Sequence, residues 1–284
     1  MARATLQTSM GLTVGLAVTA LAPPAQTQEV TTGALIAIFA DSFESGNVFV
    51  WDAGPGPTQT CPFSPDANGF FTLASPQSGY VVRLPVGYDT EDPTPQRLLV
   101  ALHGCGDTAL NFATWAAVPF VLRPSQDYIA ISVGGREGQC WNLGSDGPVV
   151  AAAIAHVRSC FYVHQKKIVV GGYSSGGGLA YKLAMTDALS WAGVLIENSS
   201  LSSAVGGAAN VDAALDAAAW KLHVGHTART EDGSYPIAGV RLDRDKMLAH
   251  NFPLEYRELA GTHDGTSADW SDYLIPLMAT WTAP

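Results

Sequence analysis

Charge is scarce in this 284-residue chain: Asp, Glu, Lys and Arg together make up 14% of it, with 15 basic residues against 25 acidic ones. No stretch gathers the cations into a patch able to neutralise a phosphate backbone, which excludes nucleic acid as a natural partner. Cysteine is equally sparse. The spacings of Cys61, Cys105, Cys140 and Cys160 match no zinc ribbon or finger. Membrane-length apolar runs are missing too, since the stretch from Met10 to Ala22 is short and broken by Thr and Gly. No internal repeat and no heptad pattern is evident.

What is present at the amino end is Met1-Ala-Arg, the apolar run, and then Pro23-Pro-Ala25. A short apolar core between one cation and small residues predicts a signal peptide over residues 1–25 and hence a secreted protein. In an exported chain four cysteines suit two disulfides, for which three pairings exist, with buried free thiols as the alternative. Residues 26–75 include Asp52-Ala-Gly-Pro-Gly-Pro-Thr58 and Pro62-Phe-Ser-Pro-Asp66, a composition that predicts a loop-rich leader. The remaining residues, 76–284, are enough for one sizeable core in a chain that is 47% apolar.

From Tyr80 onward, short apolar runs alternate with longer helical patterns. Strands are expected over residues 81–84, 98–102, 128–133, 168–171, 193–196, 222–224 and 254–259, and helices over 149–158, 175–185, 237–249 and 268–280. Such alternation predicts an α/β fold with a mostly parallel central sheet covered on both faces. Binding and chemistry then belong to the loops at the carboxyl ends of the strands.

The sharpest motif is Gly172-Tyr173-Ser174-Ser175-Gly176, which closes the apolar run Ile168-Val-Val-Gly171 and opens a helical one. A G-x-S-x-G turn between strand and helix holds a serine in a strained, exposed position, so Ser174 is the expected nucleophile. Acyl transfer also needs backbone donors for a developing oxyanion. The register assigns one to Ser175 and the other to Cys105, in His103-Gly-Cys-Gly106 after the run Leu98 to Leu102. His103 is then a structural residue of that turn. Among the histidines after Ser174, His223 and His226 fall in or at the end of a strand and His250 in a helix. His263, in Gly261-Thr-His-Asp-Gly265 behind a strand, is the expected base. Asp232 is the expected orienting acid, with Glu231 as its neighbouring competitor; Asp264 adjoins the histidine and suits the role poorly. The chemistry calls for no metal or organic cofactor.

Cys105 and Cys140 both lie in loops that leave the carboxyl ends of strands. Bridging them would pin the oxyanion turn and leave Cys61 to pair with Cys160. Trp141 and Trp270 fall near the same loops and are the candidates for stacking on substrate, with ordinary packing as the alternative. Only about 35 residues separate Glu197 from the acid loop, part of them the Gly/Ala/Ser-rich run Ser202 to Ala209, too few for a large lid. An open cleft suits a chain-like or surface-bound substrate.

From about residue 80 to the end, the chain resembles the secreted esterases of the polyhydroxybutyrate depolymerase and feruloyl esterase group. The likeness rests on His103-Gly-Cys105, Cys140-Trp-Asn142, Gly172-Tyr-Ser-Ser-Gly-Gly177, Asp232 and Gly261-Thr-His263. It implies the α/β-hydrolase fold, an oxyanion hole at the first motif, a nucleophile at the serine turn, and acid and base at the last two. The implied partner is an ester, small or polymeric: a plant cell-wall phenolic, an acetylated polysaccharide or a microbial polyester. Two departures favour feruloyl or related small esters over depolymerase action. The acid segment Gly225 to Asp232 is longer than the group's His-Gly-x-x-Asp, and His263 lacks the following Trp-Pro.

Overall fold

A computed structural model of the protein describes residues 56–284. The expected signal peptide, and the leader up to residue 55, lie outside the described residues. Eight strands form one sheet: β1 (Phe70–Ala74), β2 (Gly79–Arg83), β3 (Gln96–Leu102), β4 (Ile129–Val133), β5 (Val163–Tyr173), β6 (Gly193–Glu197), β7 (His223–Arg229) and β8 (Leu254–Leu259). Their order is β1-β2-β4-β3-β5-β6-β7-β8. The pairs β1–β2 and β2–β4 are antiparallel, and every other neighbouring pair is parallel. With its helices on both faces, this is the α/β-hydrolase fold.

Strand sequence follows strand position. All five residues of β4 and of β6 are buried, as is Leu98–Leu102 of β3, because helices cover both faces of the sheet there. Alternation within β3 divides the core. Leu98, Val100 and Leu102 join one apolar cluster with Val150, Val157, Leu179 and Leu215, whereas Leu99 and Ala101 join Phe112, Trp270, Leu274 and Trp281 on the opposite face. Edge strands β1 and β8 instead alternate more and less buried residues.

Four helices carry most of the covering: α1 (Gly147–Cys160), α2 (Ser175–Thr186), α3 (Val211–Ala217) and α4 (Ile237–Ala249). Pro148 sits at the start of α1, where its missing N–H costs nothing. Beyond α4, Asn251 takes the left-handed conformation that ends helices, at φ 61°. Among the described residues no helix is long and apolar enough to cross a membrane.

Several elements differ from the sequence expectation. Strand β1 falls inside the segment read as loop, where Phe70-Phe-Thr-Leu-Ala74 pairs with β2 despite the surrounding Pro, Asn and Gly. Both β5 and β7 are longer than their apolar runs: β7 continues through Gly225 to Arg229 because β8 pairs with it along that length, and β5 includes His164 to Lys167, where its pairing with β3 shifts register. The helix expected over residues 268–280 is segmented, with Trp270–Leu274 wound as a π-helix and Met278–Thr280 as a 3-10 turn. Pro276, which has no N–H to give, lies in its middle. Sequence reading did not anticipate α3, or the helical stretch Ala109–Phe112 that continues as a π-helix to Ala117.

Candidate active site

Ser174 stands between β5 and α2 with φ 55° and ψ −119°, a conformation L-residues rarely adopt. The turn closes only because its neighbours are small. A Cβ on Gly176 would lie 2.0 Å from the Leu102 carbonyl oxygen, so the first turn of α2 rests directly on the end of β3. The Ser174 N–H donates to the Glu197 carbonyl at 3.0 Å, fixing the turn to β6.

His263 and Asp232 reach the serine from loops after β8 and β7. His263 Nε2 lies 2.8 Å from Ser174 Oγ, and His263 Nδ1 lies 2.7 Å from Asp232 Oδ2. The other Asp232 oxygen accepts the backbone N–H groups of Ser234 (2.7 Å) and Tyr235 (2.9 Å), so the carboxylate is oriented at both ends. With Nδ1–H donating to Asp232, Nε2 is left as the acceptor for the serine hydroxyl. Asp232 is buried and Ser174 is 7% exposed, while the histidine is partly open to solvent. The competing acids are placed otherwise: Glu231 is exposed, and Asp264 accepts the Thr262 hydroxyl at 2.7 Å. This constellation is the catalytic centre of a serine hydrolase.

Ser175 opens α2, where a backbone N–H has no intrahelical acceptor. Cys105 lies in the turn after β3, and that turn approaches the nucleophile closely. A Cβ on the preceding Gly104 would stand 3.4 Å from Ser174 Cβ and 2.5 Å from the Tyr173 ring. Disulfides join Cys105 to Cys140 and Cys61 to Cys160. The first links the turn to the loop carrying Trp141; the second ties the start of the described chain to the end of α1. His103 is fully buried, with its Nδ1 on the Gly104 carbonyl at 2.8 Å.

Trp141 and Trp270 are corrected as substrate-stacking candidates. Trp141 is 5% exposed and donates its indole N–H to the His103 carbonyl at 2.9 Å. Trp270 is fully buried and donates to Glu197 Oε2 at 2.6 Å. Neither ring has a face free for a ligand. The half-buried rings around the histidine are others: Tyr173 stacks on it at 5.3 Å, Tyr235 lies tilted at 5.5 Å, and Trp115 meets Tyr173 edge-on at 5.7 Å. Tyr173 also donates its hydroxyl to the His263 carbonyl at 2.6 Å; burial pushes that phenol up to about 12. Trp115 is steadied by its indole N–H on Asp107 Oδ2 at 3.0 Å, from the turn after β3. Tyr173 was already inside the serine motif, as its variable residue. Nothing in the local pattern singled out Trp115.

One group of metal-ligating types exists among the described residues, Cys61, His156 and Cys160, but its two sulfurs are bonded to each other.

No protein-family profile and no curated protein matches this chain. Solved structures do. The CE1 ferulic acid esterase of Anaeromyces mucronatus superposes with a TM-score of 0.59 at 14% identity, over 76% of this chain and 95% of that one. The S-formylglutathione hydrolase of Staphylococcus aureus gives 0.57 at 15% identity, over 79% and 98%. A fluorophosphonate-binding serine hydrolase of Staphylococcus aureus gives 0.55 at 16% identity, over 74% and 95%. At these identities the similarity is one of fold.

Proposed function

We infer that the protein is a secreted carboxylic-ester hydrolase acting on feruloyl or acetyl esters of plant cell-wall material through an acyl-enzyme. The observation that carries the aromatic-acyl reading is the set of half-buried rings: Tyr173 and Tyr235 at the catalytic histidine, and Trp115 against Tyr173. A planar phenolic acyl group stacks favourably on such faces. Fold likeness to ferulic acid esterases supports the same reading. Export is supported by the amino-terminal apolar run and by the two disulfides, which persist in oxidising compartments.

In the reaction, His263 Nε2 takes the Ser174 proton as Oγ attacks the ester carbonyl carbon. The oxyanion that forms is held by the N–H groups of Cys105 and Ser175. Asp232 stabilises the imidazolium. The bond to the alcohol oxygen then breaks, and the alcohol leaves with the proton from His263. A water molecule repeats the sequence on the acyl-enzyme and releases the acid.

Polyester is the second reading. The segment carrying Trp115 also exposes Leu110 (55%), Phe120 (79%) and Val121 (64%), an apolar surface suited to a polymer face. The deciding experiment compares kcat/KM on methyl ferulate and on a soluble 3-hydroxybutyrate trimer, with Ser174→Ala as blank. Preference for the ferulate by about tenfold or more supports the phenolic reading. Preference for the trimer overturns it in favour of polyester.

A further inference from the structure

The buried carboxyl group of Glu197 has no part in the chemistry above. It closes β6, is fully inaccessible to solvent, and stands beside the nucleophile, since its own carbonyl takes the Ser174 N–H. Its side chain faces the opposite partner of the reaction. Oε1 accepts the Thr266 N–H at 2.9 Å and Oε2 accepts the Trp270 indole N–H at 2.6 Å, so both oxygens hold the chain just beyond His263. Gly265 packs so closely that a Cβ there would lie 3.1 Å from Oε2.

A second carboxyl group completes the arrangement. Asp269 lies beside Glu197 and is ion-paired to Arg229, the last residue of β7 and three before Asp232. Arg229 Nε also donates to the Asp264 carbonyl at 3.3 Å, where Asn198 Nδ2 donates at 2.9 Å. One buried cluster therefore touches the end of the nucleophile's neighbouring strand, the base of the acid loop and the histidine loop.

We propose that Glu197 is a positioning residue of this hydrolase: through Thr266, Trp270 and Asp269 it fixes the loop that presents His263 to Ser174. The inference rests on the triad and is independent of which ester is the substrate. Two carboxyl groups and one guanidinium carry no net charge when one proton is shared, and this is the state burial favours. Burial, with Asp269 beside it, holds the Glu197 carboxyl well above the usual carboxylate range, which favours its neutral form. The other ionisable groups around it are Tyr173 on β5 and, through Asp269, Arg229 on β7. A neutral group gives the histidine a fixed seat without adding a second negative charge to compete with Asp232.

The test is hydrolysis of p-nitrophenyl acetate by the full chain, normalised to titrated active sites. Ser174→Ala is the blank, and it separates failure of the hydrolase reading from failure of this one. Glu197→Ala is expected to lower kcat about 100-fold with KM little changed, the size of effect that misplacing a reacting group by about 1 Å produces. Glu197→Gln keeps a neutral acceptor for Thr266 beside Asp269. It is expected to recover kcat to within about tenfold of wild type while the acid limb of the kcat/KM profile stays in place. Trp270→Phe, which removes one donor and keeps the packing, is expected to show a smaller fall in kcat. A lower melting temperature with unchanged kcat per active site in Glu197→Ala and Trp270→Phe would overturn the proposal, as would an acid limb displaced by Glu197→Gln.

Discussion

The two halves of the active site are built by different physics. On the nucleophile side, the backbone does the positioning: Ser174 is held at φ 55° between β5 and α2, and Gly104 and Gly176 let β3, the turn after it and the helix close to contact distance. On the histidine side, side chains do it. His263 sits on a loop whose carbonyls accept from Tyr173, Asn198 and Arg229 and whose N–H at Thr266 is taken by Glu197. A backbone built to contact distance tolerates no added atom, whereas a hydrogen-bonded loop yields by degrees. Substitutions on the first side are therefore expected to fail abruptly, and those on the second to lose rate in steps.

The largest effect belongs to the nucleophile itself. Ser174→Ala is expected to lower kcat about a million-fold while leaving the melting temperature within a few degrees of wild type, measured by ester hydrolysis beside thermal unfolding. Asp232→Asn leaves the shape intact but offers Nδ1 a donor or a weaker acceptor, so kcat should fall about 10,000-fold. Gly176→Ala tests the steric half, because the added methyl meets the Leu102 carbonyl oxygen. Loss of at least about 3 kcal/mol of stability is expected in denaturant titration, and a normally stable, fully active variant would break the comparison. On the histidine side, Tyr173→Phe keeps the stacked ring and deletes one hydroxyl, for an expected fall in kcat of about fivefold to tenfold. A near-complete loss of activity would show this side to be as brittle as the other.

The last effect concerns stability rather than rate. His226, on β7, is fully buried beside Tyr181 and Tyr256, and burial lowers its pKa from 6.5 to about 3. Between those values the unfolded chain binds a proton that the folded protein does not, so stability falls as the pH drops through that window. His226→Asn should flatten the acid side of the stability curve by up to about 1.4 kcal/mol per pH unit relative to wild type. Parallel curves for the two proteins would contradict the assignment.

This division also explains what could be read from the sequence. The strand-turn-helix context of Gly172 to Gly176, the glycine turn at His103 to Gly106 and the mostly parallel sheet all depend on local patterns. The residues the sequence reading named as nucleophile, base and acid lie in one hydrogen-bonded chain. What was not legible depends on side chains distant in sequence. Trp141 and Trp270 were placed near the right loops, but whether an indole faces outward or donates inward is decided by His103 and Glu197, and no local pattern records that. Trp115 escaped notice because Ala109 to Ala117 winds from α to π and carries no clean 3.6-residue period. Glu197 left a faint mark, as an acid ending the otherwise apolar run Gly193-Val-Leu-Ile.

The most direct test of the catalytic assignment is active-site labelling of the folded protein with a fluorophosphonate, followed by peptide mass mapping. The account expects one equivalent on the peptide bearing Ser174, with the labelling rate falling sharply in His263→Ala. No labelling of folded protein, or labelling that ignores the histidine, would contradict it.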